Sequence, residues 1–204
     1  DIAADTGFLE IYSKVKAFSM VDLDRCYALF KAVQYILNNN IPGDFVECGV
    51  WKGGSCMLIA YSLLQAGVID RKIWLYDTFA GMTKPGVNDG LKEMKEWEHY
   101  KVNEERSNWF FVLQEEVEAN MKKTAYPFWQ LEFVKGRVED TIPTRTPTEI
   151  SLLRLDTDWY ESTYHELFHL YPLLSKKGIL IIDDYGPWQG ARKATDEYFN
   201  NSVY

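Results

Sequence analysis

The feature that most constrains this chain is a regular alternation of short apolar runs with longer amphipathic stretches. The apolar runs are rich in Ile, Leu and Val and lack polar alternation, which is typical of strands buried on both faces of a parallel sheet. Such strands, separated by helices, predict an α/β fold with a mostly parallel sheet and helices on both faces. Strands are predicted at residues 45–46, 72–76, 131–134, 150–155 and 179–182, and helices at 22–37, at 55–66, from about 162 and from about 189.

Composition places the chain among globular proteins and disfavours several classes of function. Its 204 residues are 47% hydrophobic and 15% aromatic, which suits one domain with a sizeable core. The net charge of −8 disfavours nucleic acid as a partner. No apolar run approaches the roughly 20 residues that span a bilayer, and three cysteines are too few and too odd for a disulfide framework. We expect a cytoplasmic enzyme without a membrane partner.

We expect residues 1–204 to form a single domain with two additions to the sheet. Residues 1–40 are predicted to form an N-terminal helical cap. Residues 78–125 open with a long polar stretch that contains Pro85 and several glycines. Such a segment is too long for an inert connection, so a lid or an acceptor-binding insertion is favoured over a plain surface excursion.

Nearly every predicted strand ends in a residue that a hydrophobic core would not select. In open parallel sheets, ligands bind beyond the carboxyl ends of the strands. The sequence therefore predicts a site along this edge of the sheet. The residues at the strand ends are Glu47, Asp77, Gly136, Asp156 and the pair Asp183–Asp184.

A glycine-rich turn at residues 47–55 follows the first strand and opens a helix, so that its backbone can approach a ligand closely. The turn lacks the G-x-G-x-x-G spacing of dinucleotide enzymes. Glu47 would repel a pyrophosphate but would suit the ammonium group of a methionine moiety. Asp77, at the end of the second strand, is placed to accept hydrogen bonds from two ribose hydroxyls.

Three carboxylates are predicted to share one cleft, because Asp156 and Asp183–Asp184 end neighbouring strands. They would repel one another unless a cation lies among them or a pKa rises. Oxygen ligands alone suit Mg²⁺. Asp158 lies two residues beyond Asp156, and alternation along an extended segment would return it to the same side, where it could act as a general base.

A zinc-protease pattern, H-E-x-x-H, occurs at His165-Glu166-Leu167-Phe168-His169. It lies on the helix that crosses between the fourth and fifth strands, and the start of that helix faces the ligand edge, not its middle. No third metal ligand is clearly presented to it. We therefore interpret the two histidines as an ordinary exposed or packed pair.

Five segments resemble the macrocin O-methyltransferase family of antibiotic-sugar methyltransferases, in their order as well as in their sequence. The resemblance covers residues from about 19 to 199. It implies the class I methyltransferase fold, which is Rossmann-like, with S-adenosylmethionine as the methyl donor and a requirement for magnesium. The matching segments lie at 42–55, 75–82, 134–141, 153–163 and 181–193, and the strongest of them reads LRLDTDWYEST.

The resemblance also implies roles for individual residues. It implies that Asp156, Asp183 and Asp184 bind the metal, and it points to Asp158 as the catalytic base. The expected reaction transfers a methyl group from S-adenosylmethionine to a hydroxyl of a small acceptor, such as a sugar of a natural product or glycan. Cofactor contacts are expected from Glu47, Cys48, Gly49, Val50, Gly53, Ser55, Asp77, Thr78, Gly136, Arg137, Val138 and Asp156.

The chain departs from the family pattern at two places. Pro187 follows Asp-Asp-Tyr-Gly where the family commonly has a histidine, so acceptor choice or pH dependence is expected to differ if that histidine handles the acceptor. The family continues past the last helix into a final antiparallel strand pair. That pair is expected to be absent here, since the sequence stops at Tyr204, unless the terminus lies beyond the sequence shown.

Other functions stay open from the residues alone. Catechol-type methyltransferases place a lysine where this chain has Trp159, which disfavours a phenolic acceptor. A nicotinamide-dependent oxidoreductase is disfavoured by the glycine spacing, and a non-catalytic binding module by the four aspartates. The acceptor pocket and the oligomeric state are not readable, and a homo-oligomer stays open. Aromatic and apolar residues that could line the pocket, or equally pack in the core, are Trp51, Met82, Trp159, Tyr160 and Trp188.

Overall fold

The computed structural model describes residues 2–201 and contains one parallel sheet of five strands in the order β3-β2-β1-β4-β5. Every pair of neighbouring strands is parallel. The predicted α/β fold with a parallel sheet is confirmed. The strands are β1 (Asp44–Cys48), β2 (Ile73–Asp77), β3 (Leu131–Lys135), β4 (Ile150–Leu155) and β5 (Leu174–Ile182).

Helices cover both faces of the sheet. Because neighbouring residues of each strand point to opposite sides, each strand contributes side chains to both of these layers. Phe45 and Leu152 pack with the helices near the N-terminus, whereas Val46 and Leu153 pack with the helices that follow β4 and β5. Over the described residues the helices are α1 (Thr6–Val15), α2 (Leu23–Asn38), α3 (Gly54–Gln65), α4 (Leu91–Tyr100), α5 (Gln114–Lys122), α6 (Val138–Thr141), α7 (Tyr160–Leu170) and α8 (Gln189–Asn201).

The N-terminal segment forms two helices, α1 and α2, that pack on α3. The carboxylate of Asp22 caps α2 by accepting a hydrogen bond from the Arg25 amide at 2.9 Å. Phe8, Phe30 and Val33 are fully buried, so the segment belongs to the hydrophobic core of the sheet. It therefore covers the sheet and carries Arg25 to the edge where the strands end.

The fifth strand is longer than the sequence predicts. A strand is predicted only at residues 179–182, but the strand begins at Leu174 and includes Gly178. The register between β4 and β5 shifts between Ile150 and Leu152, and the extra residues of β5 lie at this irregularity. Because Ser175, Lys176 and Lys177 are polar, a search for apolar runs does not detect this half of the strand.

The segment at residues 78–125 is folded, not a loop. It contains α4 and α5, and two isolated antiparallel bridges join Thr83 to Arg106 and Lys101 to Ser107. The indole of Trp97 is fully buried, and its nitrogen donates to the carbonyl of Met82 at 3.1 Å. These contacts lie within the segment. It is joined to the rest of the fold by the Trp159 indole, which donates to the Thr83 carbonyl at 3.0 Å, and by the Asn120 amide, which donates to the Lys52 carbonyl at 3.1 Å.

Among residues 2–201, no helix combines the length and the apolar character that a membrane crossing requires. The expected absence of a final strand pair lies outside the described residues.

Candidate active site

A cavity of about 310 Å³ opens at the carboxyl edge of the sheet. This volume is within the range of small-molecule sites. Ten of the residues predicted for the site line it: Gly49, Asp77, Thr78, Gly136, Arg137, Val138, Asp156, Asp158, Asp183 and Asp184. The strand ends therefore converge on one cavity, as the topology of the sheet requires.

The glycine turn allows the ends of β1 and β4 to approach closely. Gly49 has a φ of +81°, and a Cβ atom added to it would lie 1.9 Å from the carbonyl oxygen of Asp156. Gly53 has a φ of +86° and precedes α3 as its N-cap. Both positions thus require glycine for conformational reasons, and Gly49 requires it for space as well.

Asp77 organises this turn through its carboxylate. It accepts hydrogen bonds from the amides of Val50 at 2.8 Å, Trp51 at 3.1 Å and Phe79 at 2.8 Å. Burial raises the pKa of Asp77, and these backbone donors oppose that rise. The carboxylate lines the cavity, so the predicted contact with ribose hydroxyls stays a prediction. Its role in holding the turn was not predicted.

Several residues of the turn lie outside the lining of the cavity, namely Glu47, Cys48, Val50, Gly53 and Ser55. Glu47 is 1% exposed, and its carboxylate accepts from the Arg154 guanidinium and from the Cys56 thiol. Burial raises the pKa of Glu47 to about 7, although Arg154 opposes the rise. In this structure Glu47 faces the interior, and the expected contact with a ligand's ammonium group stays a prediction.

Three carboxylates meet at the ends of β4 and β5. One oxygen each of Asp156, Asp183 and Asp184 can be chosen so that all lie within 4.8 Å of one another. These are oxygen donors only, which suits a hard dication such as Mg²⁺. Burial, followed by the charge of Asp156, raises the pKa of Asp184 to about 8. The residues therefore fit a divalent cation, because their mutual repulsion calls for positive charge.

Part of that positive charge comes from Arg154, which the sequence analysis missed. Its guanidinium is 2% exposed and lies 2.6 Å from Asp156 and 2.9 Å from Asp183. Arg25, from α2, reaches Asp183 from the other side at 2.7 Å. The sequence does carry a signal for Arg154, since it is the one charged residue of the predicted strand 150–155. A buried strand does not hold a charge without a partner.

Asp158 reaches the cluster by a tight turn. Its φ is +66°, its amide donates to Asp184 Oδ2 at 3.0 Å, and the Trp159 amide donates to the Thr157 carbonyl at 2.7 Å. The predicted alternation along an extended segment is therefore wrong, although Asp158 does line the same cavity as Asp156. Burial and the charge of Asp184 raise the pKa of Asp158 well above its ordinary value.

A cluster of three indoles lies at the cavity, and two of them line it. Trp159 and Trp188 lie at 5.4 Å between ring centroids, nearly perpendicular, and Trp109 contacts both. Of the residues suggested for an acceptor pocket, Trp51, Met82, Trp159 and Trp188 line the cavity, as does Pro187. Tyr160 does not line it; its hydroxyl donates to Glu197.

The H-E-x-x-H sequence forms no metal cluster in the described part of the chain, where the only group of three or more potential ligands is the aspartate cluster. The Nε2 atom of His165 lies 3.0 Å from the carbonyl oxygen of Ile142, and the ring contacts His169 at a tilt of 55°, with 4.4 Å between centroids. Glu166 points the opposite way, into the interior. The interpretation as an ordinary histidine pair agrees with this geometry.

Comparison with known proteins identifies the family. The family model described as Macrocin-O-methyltransferase (TylF) matches residues 13–203. The chain belongs to the macrocin O-methyltransferase family. It is therefore an O-methyltransferase, and membership of this family implies S-adenosylmethionine as the methyl donor.

Curated relatives agree with this assignment. Demethyldecarbamoylnovobiocin O-methyltransferase of Streptomyces niveus is 35% identical over 89% of this chain and 68% of its own length. Mycinamicin III 3''-O-methyltransferase of Micromonospora griseorubida is 33% identical over 89% of this chain and 70% of its own length.

Solved structures show the same fold. The O-methyltransferase NovP has a TM-score of 0.80 at 34% identity, covering 92% of this chain and 76% of its own. The calicheamicin methyltransferase CalS11 has a TM-score of 0.64 at 19% identity, covering 94% of this chain and 82% of its own, and supports the fold alone.

Proposed function

We propose that this O-methyltransferase methylates a sugar hydroxyl of a glycosylated natural product, with a divalent cation, Mg²⁺, held by the aspartate cluster. The names of relatives support a sugar acceptor. One is a 4'-O-methyltransferase of a rhamnosyl-tetracenomycin from Streptomyces olivaceus, 36% identical over 89% of this chain and 67% of its own length. Another acts on the 3'' position of mycinamicin III.

The observation that carries the proposal is the meeting of four aspartates in one cavity. Asp156, Asp183 and Asp184 offer oxygen ligands, and Asp158 lies beside them with its backbone bound to Asp184. A non-catalytic module would have no use for so much like charge in a buried site. An enzyme that must ionise an alcohol has such a use.

The chain's own residues supply the proton chemistry and the orientation. An alcohol is almost never ionised at neutral pH, so its proton must be removed as the oxygen attacks the methyl carbon. Asp158 is the residue proposed to accept that proton, since it is a carboxylate in the cavity not assigned to the metal. When bound, Mg²⁺ would favour the ionised form of the acceptor hydroxyl by its charge.

The cofactor is proposed to lie along the ends of β1, β2 and β3. Gly49 and Trp51 of the glycine turn line this part of the cavity together with Thr78 and residues 136–138. The amide of Gly136 donates to the Asp77 carbonyl at 3.0 Å, which fixes the β3 end against the β2 end. S-adenosylmethionine would supply an electrophilic methyl group there, and the aspartate cluster at the ends of β4 and β5 lines the same cavity.

The proposal is tested by methyl transfer from radiolabelled S-adenosylmethionine to a panel of deoxysugar glycosides, free polyols and catechols. We expect transfer to glycosides that a chelator abolishes and Mg²⁺ restores. Asp158→Asn should lower kcat by about 100-fold or more while binding of the donor is retained. The matched control is Asp140→Asn, an exposed acid on α6 outside the cavity, which should behave as wild type. Transfer only to catechols, or transfer insensitive to chelation, would contradict the proposal.

A further inference from the structure

Glu166 carries a carboxyl group that contacts the Thr157 hydroxyl and the Cys48 thiol in the interior. It lies on the inner face of α7 and is fully buried. Burial raises its pKa well above the ordinary value. A buried carboxyl is costly unless hydrogen bonds compensate it, and the hydroxyl of Thr157 donates to its two oxygens at 3.0 and 3.2 Å. Glu166 is the central acid of the H-E-x-x-H sequence, and the reaction described above does not use it.

Thr157 occupies a decisive position, because it lies between a proposed metal ligand, Asp156, and the proposed base, Asp158. The backbone here turns sharply, and Asp158 has a φ of +66°. A residue that is not glycine keeps such a conformation only when its surroundings hold it. The Thr157 carbonyl is held by the Trp159 amide, and its side chain is held by Glu166.

The contact therefore joins the interior of α7 to the turn that carries the site. Helix α7 is rigidly packed, since Leu167 and Leu170 beside Glu166 are fully buried. The turn itself lines the open cavity. A tether from a rigid helix to a strained turn restricts the direction in which the neighbouring carboxylates point, and catalytic geometry is sensitive to displacements of about 1 Å.

We propose that Glu166 is a positioning residue that, through the Thr157 hydroxyl, holds Asp158 and Asp156 in their working orientation. This inference rests on the proposed function, since it assigns Asp158 and Asp156 their roles. Glu166, the acid of the H-E-x-x-H sequence, would then support the site from the interior of the protein. Residues that orient metal ligands from behind typically change metal affinity or activity by about 10–100-fold when removed.

The test compares two ways of cutting the tether with two ways of keeping it. Thr157→Val removes the hydroxyl and preserves the shape of the side chain, and Glu166→Ala removes the acceptor. Thr157→Ser preserves the hydroxyl donor, and Glu166→Gln preserves an oxygen acceptor. Phe168→Ala, on the outer face of the same helix where Phe168 is 57% exposed, is the matched control.

Three readouts are measured for each variant: kcat and the KM for S-adenosylmethionine, the affinity for Mn²⁺ by calorimetry without donor or acceptor, and the free energy of unfolding. We expect Thr157→Val to lower kcat about 10–100-fold and to weaken Mn²⁺ binding, with the KM for the donor within about 3-fold of wild type. Thr157→Ser and Glu166→Gln should recover most of both losses, and Phe168→Ala should match wild type.

Two results would overturn the inference. The first is a folded Thr157→Val protein with wild-type kcat and Mn²⁺ affinity. The second is a Glu166→Gln protein as impaired as Glu166→Ala when both are folded, because an oxygen acceptor at this position would then restore nothing. If Glu166→Ala does not fold, Thr157→Val alone decides. Failure of the proposed function is distinguishable, since the wild-type protein itself would then bind no Mn²⁺ or transfer no methyl group.

Discussion

Arg154 connects the glycine turn to the aspartate cluster. Its guanidinium contacts Glu47 at the end of β1 and both Asp156 and Asp183 at the ends of β4 and β5. All of these carboxylates are deeply or largely buried. The cation therefore allows several acids to share a low-dielectric site before any metal enters it.

Removal of Arg154 should destabilise the fold. Arg154→Met keeps much of the side chain's volume but leaves the Glu47 carboxylate buried without its partner, so we expect a loss of about 3–5 kcal/mol in the free energy of unfolding. Urea denaturation at pH 7 in a chelator measures it. Glu47→Gln combined with Arg154→Met should be more stable than Arg154→Met alone. Arg145→Met is the control, because Arg145 is 52% exposed and its ion pair is long, at 3.8 Å; equal stability of the two single variants would contradict the prediction.

Glu47 should make the stability of the metal-free protein depend on pH. Its pKa rises from 4.5 in the unfolded chain to about 7 in the fold. A raised carboxyl pKa contributes stability that is fully present below about pH 4.5 and is lost as the pH rises through 7. Unfolding in urea between pH 5 and 8, in a chelator, should therefore show a smaller decline for Glu47→Gln than for wild type; parallel curves would exclude this contribution.

At the scale of elements, the ends of β1 and β4 are held closer than side chains would allow. Gly49 faces the backbone of Asp156 with no room for a Cβ atom. The strand that carries the glycine turn and the strand that carries the aspartates are thereby brought together. The distance between the proposed cofactor half and the proposed metal half of the cavity depends on this contact.

Gly49→Ala should therefore destabilise the protein by more than the unfavourable backbone conformation alone would. We expect a loss of at least about 2 kcal/mol in the free energy of unfolding, from strain together with overlap. Gly67→Ala is the matched control, since Gly67 has a similar φ of +72° and nothing within 4 Å of an added Cβ. Its loss should be only about 1 kcal/mol. Equal losses, measured by urea denaturation, would mean that the close approach is unimportant.

The strand that was predicted most accurately is the one whose burial is continuous. The strand at 150–155 was predicted with its observed bounds, because all six residues are buried and five are Ile, Ser or Leu around one arginine. Helices α4 and α5 were not predicted, since each has few buried residues, such as Trp97 in α4. A weakly periodic polar helix has no clear signature in a single sequence.

The sequence predicts the acidic residues of the site but not the residues that form ion pairs or hydrogen bonds with them. Strand ends can be read from apolar runs, so Asp77, Asp156 and Asp183 could be placed at one edge. Buried partners, such as Arg154 for Glu47 or Glu166 for Thr157, depend on the direction in which each side chain points inside the protein. Sequence spacing does not determine that direction when the backbone leaves regular structure, as it does at Asp158.

For the whole molecule, the acidic cluster implies that metal binding and stability are linked. The chain has a net charge of −8, and the cavity concentrates several of its acids. A dication that binds only the folded protein adds stability in proportion to the logarithm of one plus the ratio of the free cation concentration to its dissociation constant. The cluster is therefore expected to cost stability when it is empty of cations and to return that stability on binding.

Mg²⁺ should raise the midpoint of thermal unfolding. At 100 times the dissociation constant the gain is about 2.7 kcal/mol, which for a protein of this length corresponds to roughly 5–10 °C. Differential scanning calorimetry with Mg²⁺ or with chelator measures the shift. Asp183→Asn should reduce the shift strongly, whereas Asp140→Asn should leave it intact. A wild-type midpoint insensitive to Mg²⁺ would contradict the assignment of the metal.

The indoles that line the cavity have a practical consequence. Trp159 and Trp188 line the cavity and touch each other, and Trp109 contacts both. Any acceptor that enters must change the polarity around these rings or cover them. The native emission spectrum of the unlabelled protein can therefore report occupancy, and acceptors could be ranked by optical titration before their methylated products are known.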